Sequence, residues 1–505
     1  MLIRRCSAVL AAAALVAGVG ACSGAGAGSS AAAKTLTIAS VLDNNSFDPT
    51  QLNIGNQMQY WSPVFDTLLT RDKDNELQPW LATAWKYDAT RTTLNLKLKS
   101  GVKFTDGTPF DATAVKANLA NLAAGTGQNS YMSRSIASYQ IVGPSEINLK
   151  LKTPDPGLID YLASVGGVMA SPKSLKSATV ATTPVGSGPY VLDKTGTVAG
   201  STYTYRRNPD YWNTAAFPYD KIVIKPMTDL TARLNALKSG QVNAALTDTN
   251  SLAEGKRSRL TVNTTPVNWI GLLLMDRDGK LVPALKDVRV RKAINYAFDR
   301  EAILKNVSHG EGTLTTQIFN AAGDGYDKSL DSAYTYDVAK AKQLLSEAGY
   351  ADGFTVTMPE AASYAQYNAI IGQQLAAIGI TVKWVKVPAN ALIPEILSGK
   401  YPVAFMTLGS QSAWQDIQKS VTRKSPWNPQ KAGDPQLDKL LATAQGAPEA
   451  QLPAAMQAVS KWLVDNAWFA PWYRENSVLL SDAKTAVTMQ AYNVAPAISS
   501  FAPKE

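Results

Sequence analysis

One stretch leaves the chain little choice of fold class. Residues 354–358 read FTVTM, residues 367–379 read YNAIIGQQLAAIG, and residues 380–387 read ITVKWVKV. The first and last have the apolar alternation of strands, and the middle has a helical period that stops on Gly379. A strand, a helix and a strand joined this tightly form a βαβ unit, whose two strands run parallel. The same texture extends through the chain from Lys34. Strands are expected at 34–40, 92–104, 146–152, 201–208 and 220–227, and helices at 111–124, capped by Asp111, at 230–240, at 286–307, capped by Asp287, and at 337–350. The fold class is α/β. With 505 residues the chain exceeds the ~100–200 that one core serves, so two or three domains are expected.

The N-terminus has a different texture. Arg4 and Arg5 precede an apolar run from Ala8 to Ala21 that is too short to cross a bilayer, which reads as an export signal over residues 1–21. The tetrapeptide VGAC, 19–22, resembles the lipobox of bacterial lipoproteins, in which the cysteine is acylated and becomes the new N-terminus. Cys22 is then a lipid anchor, and residues 22–34, nearly all Gly, Ala and Ser, a flexible tether with a mean span of ~20 Å. The expected location is the extracytoplasmic face of the cell membrane.

Chemistry is narrowed by what is scarce. The only cysteines are Cys6 and Cys22, so the body can form neither a disulfide nor a thiolate site. Its single histidine, His309, sits in the loop sequence NVSHGEGT and reads as a solvated loop residue. Residues 28–35, GSSAAAKT, have the outline of a phosphate-binding loop, but Ala33 stands where the second glycine belongs and no strand precedes it. A pair of distant carboxylates for glycoside hydrolysis stays open. The net charge of +9 is scattered rather than clustered, which argues against nucleic acid. No cofactor and no metal site is expected. The 11 tryptophans suit either core or a ligand cleft.

Longer segments carry a resemblance. NELQPWLATAWKY (75–87) and LNLKLKSGVKFTDGTPFDATAVKANL (94–119) are followed in order by PVGSGPYVL (184–192), RRNPDYW (206–212), KDVRVRKAINYAFDREAI (286–303), YDVAKAKQLLSEAGYADGF (336–354) and QQLAAIGITV (373–382). Together they strongly resemble the extracellular solute-binding proteins of the oligopeptide, dipeptide and nickel class, which feed ABC importers. Several of the motifs also make local sense: Asp106 and Gly107 form a tight turn, and Gly186 and Gly188 permit close backbone approach.

The resemblance implies a bilobed, periplasmic-binding-protein-like clamshell of type II with an extra inserted domain. Lobe I would comprise 35–62, 178–267 and 482–505, the inserted domain 63–177, and lobe II 268–481, with hinge strands near 265–276 and just after 476–482. It further implies a non-catalytic, monomeric receptor that hands a small solute, a peptide or peptide-like compound, to ABC transporter permease subunits. The ligand-binding residues it points to are Asn53, Gly55, Asn56 and Gln57 on one wall, Trp269 by the hinge, and Ser410, Gln411, Trp414 and Asp416 on the other wall. In peptide-binding members an acid that pairs with the peptide ammonium follows a Gly and a Trp closely. Here LGSQSAWQD places its only acid, Asp416, late in that segment. The alternatives are a surface-tethered hydrolase, a ligand-sensing receptor on the same fold, or a non-peptide cargo such as a saccharide, metal chelate, haem or opine.

Overall fold

The computed structural model describes residues 34–388 and 391–504; the export signal, Cys22 and the tether lie outside the described residues. Within them the chain folds as the bilobed α/β clamshell. A mixed sheet runs through both lobes in the order Tyr190–Leu192, Tyr203–Arg207, Lys221–Pro226, Thr35–Ser40, Ala244–Thr247, Phe469–Ser481, Thr261–Leu274 and Val403–Gly409, and Thr313–Leu314 adds to the side of Phe469–Ser481. Thr35–Ser40 lies parallel to both neighbours, and its Leu36 and Ile38 are wholly buried beside Ile222 and Ile224. Strands covered on both faces need apolar runs, which these residues supply.

The two long strands define how the halves connect. Thr261–Leu274 and Phe469–Ser481 pair antiparallel along nearly their whole length, but Val267 is an extra residue between the pairs Pro266↔Asn476 and Asn268↔Glu475. A bulge there suits Pro266, which has no N–H to give to a ladder. On one side of the bulge Val262, Val478 and Leu480 pack with Ala236, Leu237 and Ala245. On the other side Ile270, Leu272, Trp472 and Tyr473 pack with Val290, Ile294 and Phe298. The second strand therefore passes between cores at Glu475–Asn476. This corrects the expected crossing just after 476–482: Val478, Leu479 and Leu480 pair with Ala244–Thr247 and are buried in the first lobe.

The antiparallel sheet Ala82–Tyr87, Thr93–Leu98, Glu146–Leu151 and Ile136–Gly143, with helix Ala112–Ala124, forms a separate layer in the first half. Its core runs without a break into that of the main sheet, from Leu94 and Leu96 through Tyr60 and Trp61 to Tyr205. Asp111 caps the helix by accepting from the Thr113 and Ala114 amides at 2.8 and 2.9 Å. The strand expected over 92–104 ends at Leu98; beyond it Lys103 bridges to Pro109 around the Asp106–Gly107 turn, where Gly107 has φ +79°.

In the second half the βαβ unit is present: Phe354–Glu360 and Ile380–Lys386 pair in parallel around helix Ala365–Ala376. The single helix expected over 286–307 is two, Val288–Tyr296 and Arg300–Val307. Asp299 causes the break, because its carboxylate accepts from the Ala302 amide at 2.9 Å and so starts a new helix. The spacing of apolar residues runs through the break because Ile294, Phe298 and Ile303 still face one core. PWY, 471–473, is fully buried.

Candidate functional site

The halves face each other across a cleft that holds three chambers, of which the first two share lining residues. One wall starts with a single turn at Gly55–Gln57 and the helix Met58–Trp61, continues through Asp66, Arg71 and Trp80, and ends on the short helix Leu158–Leu162. The other wall is the segment from Ser410 into helix Ala413–Ser420, with Gln490–Asn493 between them. The main chamber holds about 950 Å³ of empty space, its mouth included, between apolar Ile54, Met58, Trp61 and Phe65 and polar Gln411 and Gln415. Arg71, Asp160 and Tyr492 separate it from a second, larger chamber of about 1220 Å³ that is rich in carboxylates, and Tyr131, Asp155, Tyr161 and Trp414 line a third of about 550 Å³. A largely apolar hollow with a few convergent polar groups is what a small-molecule site requires.

The floor of the main chamber rests on a buried carboxylate. Asp66 accepts from Trp80 Nε1 and Tyr211 Oη, each at 2.8 Å, and from Ser187 Oγ at 2.9 Å. Burial outweighs these donors and pushes its carboxyl up to about 6. The RRNPDYW motif thereby acquires a physical role: Tyr211 holds Asp66, Trp212 packs edge-on to Trp80 at 4.8 Å, and Asn208 Nδ2 donates to the Gly188 carbonyl at 3.0 Å. Gly186 and Gly188 lie so close to Val64 that a Cβ would stand 2.0 Å from its carbonyl oxygen at the former and 2.5 Å from its carbonyl carbon at the latter.

The structure disperses the residues expected to touch solute. Asn53 is engaged locally: its Nδ2 donates to Gln57 Oε1, and its carbonyl accepts from Trp61 Nε1 at 2.9 Å. Gln57 Nε2 donates to the Asp43 carbonyl at 3.1 Å, Gly55 turns the chain at φ +82°, and the buried amide oxygen of Asn56 has no partner. These four shape the wall, whereas the neighbouring Ile54, Met58 and Trp61 line the chamber. Trp269 is 1% exposed and packs edge-on against Phe469 in the second lobe, so it presents no face to the cleft. Ser410 is buried and donates to the Ile318 carbonyl at 2.9 Å. Gln411 lines the main chamber.

Asp416 and Trp414 have more pointed surroundings. Asp416 is 2% exposed, accepts from the Gln411 amide at 3.2 Å and lies 2.8 Å from Lys419 Nζ. Burial pushes its carboxyl up and the ammonium of Lys419 holds it back. Its charge is thus already matched within its own helix. Trp414 points across the seam to the first lobe: a Cβ on Gly157 would stand 2.9 Å from its Cδ1 and 2.8 Å from Tyr161 Oη. Beside it Gln445 Nε2 donates to the Pro154 carbonyl at 2.9 Å, a second tie across the cleft.

The group that sequence reasoning missed is Asp155, in TPDPG at 153–157. Flanked by two prolines, it reads as turn chemistry, and only the approach of Trp414 makes it part of the cleft. His309 lies elsewhere, exposed, with its Nε2 3.0 Å from Asn250 Oδ1. Among the described residues no cluster of His, Cys, Asp and Glu is suited to a metal ion, and no helix is long and apolar enough to cross a membrane.

Residues 76–423 match the model of bacterial extracellular solute-binding proteins, family 5, middle region. Among curated relatives, the glutathione-binding protein GsiB of Salmonella paratyphi A is 28% identical over 375 residues, which is 72% of this chain and 71% of the relative. Among solved structures, DppA of Helicobacter pylori in complex with the peptide STSA superposes with a TM-score of 0.77 at 21% identity, covering 93% of this chain and 98% of that one. NikA of Brucella suis in complex with Fe(III)-EDTA superposes with a TM-score of 0.79 at 22% identity, covering 93% and 100%.

Proposed function

Because the chain belongs to the bacterial extracellular solute-binding proteins of family 5, we propose that it is the membrane-anchored, monomeric receptor that captures a peptide or peptide-like solute and delivers it to the permease of an ABC importer. The observation that carries this reading is the cleft itself: chambers between two lobes joined by two strands, with a bulge where both strands pass from one core to the other. Lobes so joined can open and close about the bulge with little loss of core packing, and closure buries a solute from water. The relatives support the cargo class, since one is named for glutathione and a structural neighbour holds a peptide.

In this reading lobe I comprises 35–62, 178–267 and the chain from Asn476 onward, the inserted domain 63–177, and lobe II 268–475. Ile54, Met58 and Trp61 form the apolar side of the solute site, and Gln411 and Gln415 supply neutral hydrogen-bonding groups opposite. Cys22 carries the lipid. Replacing Cys22 by Ser moves the protein from the membrane fraction into the soluble one; a variant still wholly in membranes overturns the anchor.

The direct test of the receptor is a mass spectrum of whatever copurifies with the chain from its own cells, followed by tryptophan fluorescence and thermal melting with that compound. A true solute at ~100 times its Kd stabilises the fold by ~2.7 kcal/mol, and it is recovered chemically unchanged. Recovery as a cleaved product supports the hydrolase instead.

A further inference from the structure

The charges around the cleft do not balance. Two of its cations are paired: Arg71 with Asp160, while stacking over the ring of Tyr492 at 5.5 Å, and Lys419 with Asp416 at 2.8 Å; Arg91, in no ion pair among the described residues, lies over the ring of Tyr87 at 4.6 Å. Four carboxylates in the second and third chambers, Glu76, Asp155, Asp324 and Glu449, have no basic side chain within ion-pair distance among the described residues. Glu76, Asp324 and Glu449 are exposed and solvated, but Asp155 is half-buried, and a carboxylate held partly out of water without a counter-charge is costly, a cost that an arriving cation removes.

Of the four, Asp155 has a built environment. Its Oδ1 accepts from the Gly157 amide at 3.1 Å, which orients the carboxylate. Tyr131 and Tyr161 meet at 85° with their centroids 5.7 Å apart, and Trp414 approaches from the other lobe. The hydroxyls of Ser135 and Thr153 and the amide of Gln418 complete the chamber. Aromatic faces beside one carboxylate suit a partly desolvated organic cation: the rings attract the charge through their quadrupoles and the carboxylate pairs with it. Burial pushes the Asp155 carboxyl above its ordinary value against the donors Ser135, Gly157 and Trp414, which hold it back, and the nearby charge of Asp160 adds to the rise.

We infer that the solute carries an organic cation, an ammonium head, and that Asp155 receives it between Tyr131, Tyr161 and Trp414. This rests on the receptor reading and adds the charge of the cargo to it. The head group is held at the seam, so a cation seated there touches both lobes and favours the closed form.

The test uses the full mature chain and three probes: a tryptic digest of casein, whose peptides have free α-amines and mostly end in Lys or Arg; the same digest with every amine acetylated; and a version acetylated only at lysine. Retained peptides are identified by mass spectrometry and their affinities measured by calorimetry. Retention is expected from the free digest and at least tenfold weaker retention from the fully acetylated one, and the lysine-blocked digest separates α-amine from side-chain recognition. Asp155→Asn keeps an oxygen to accept from Gly157 and is expected to weaken binding of a retained peptide by tenfold to several hundredfold with an unchanged melting temperature, whereas Asp416→Asn leaves that binding within about threefold. Equal retention of the free and fully acetylated digests, or an Asp155→Asn variant that binds like wild type, overturns the inference. Retention of neither digest also overturns it, and the receptor reading then stands or falls separately on whether a solute without a basic nitrogen copurifies.

Discussion

Helix Ala413–Ser420 and the loop at 153–157 meet across the cleft, and each brings one aspartate to it. Asp416 has a lysine one helical turn away and an amide donor, so it is buried and its charge is spent within its own element. Asp155 lies between prolines, has one amide donor and no base, and faces three aromatic rings supplied by two lobes. The residue type is the same, and only the partner differs. Availability for a ligand is set by what the fold has already paired, and the acid at the place where the family resemblance directs attention is the one that is already paired.

The largest expected effect sharpens this contrast on its helical side. Lys419→Ala strands the carboxylate of Asp416 in a site that is 2% exposed, and denaturant unfolding should show a loss of about 3 kcal/mol, at the low end of the usual range because Lys419 is itself 26% exposed. A loss below about 1 kcal/mol would mean that Asp416 can reach water when the pair is broken, and the contrast with Asp155 would fail.

Next comes the seam itself. Gly157 has φ −80°, where any residue is at ease, so what glycine supplies is room for Trp414 and Tyr161. Gly157→Val should weaken solute binding by about a hundredfold by holding the lobes apart, read by small-angle scattering as a solute-independent, open particle. Normal closure in that variant would show that Trp414 can move aside and that the loop is no clasp.

The smallest effect is on stability at Asp155. Because no base depends on it, Asp155→Asn should change unfolding free energy by less than about 1 kcal/mol. Its pH dependence has a definite sign. A carboxyl raised in the folded state holds its proton longer there than in the unfolded chain, so wild type loses stability relative to the variant as pH rises above the ordinary aspartate value of about 3.9, and the difference levels off once the folded group has ionised. A difference that is flat from pH 3 to 8 would show Asp155 to be as well solvated as a surface acid.

Much of the architecture is legible along the chain. The parallel pair around Ala365–Ala376, the caps at Asp111 and Asp287 and the turn at Asp106–Gly107 all follow from patterns a few residues long. The break at Asp299 was not legible, because apolar periodicity continues through it and a carboxylate folding back on its own backbone leaves no mark on that period. Among the expected binding residues, Gln411 lines the main chamber and Trp414 the third, whereas Trp269 is buried and the side chains of Asn53 and Gln57 are engaged with each other and with Gln128 and Asp43.

What the sequence by itself determined is therefore local or compositional: strand and helix periods, the α/β class, turns and caps, and a body with one histidine and no cysteine, each decided by interactions within a few residues. What only the tertiary structure decided is which charges are free. Asp66 is bound by Trp80 and, from 121 and 145 residues away, by Ser187 and Tyr211, and Asp155 becomes a cleft residue only where Trp414 meets Gly157 from the other lobe. The physical reason is that burial and pairing depend on distances between segments hundreds of residues apart, and a one-dimensional pattern does not encode those distances.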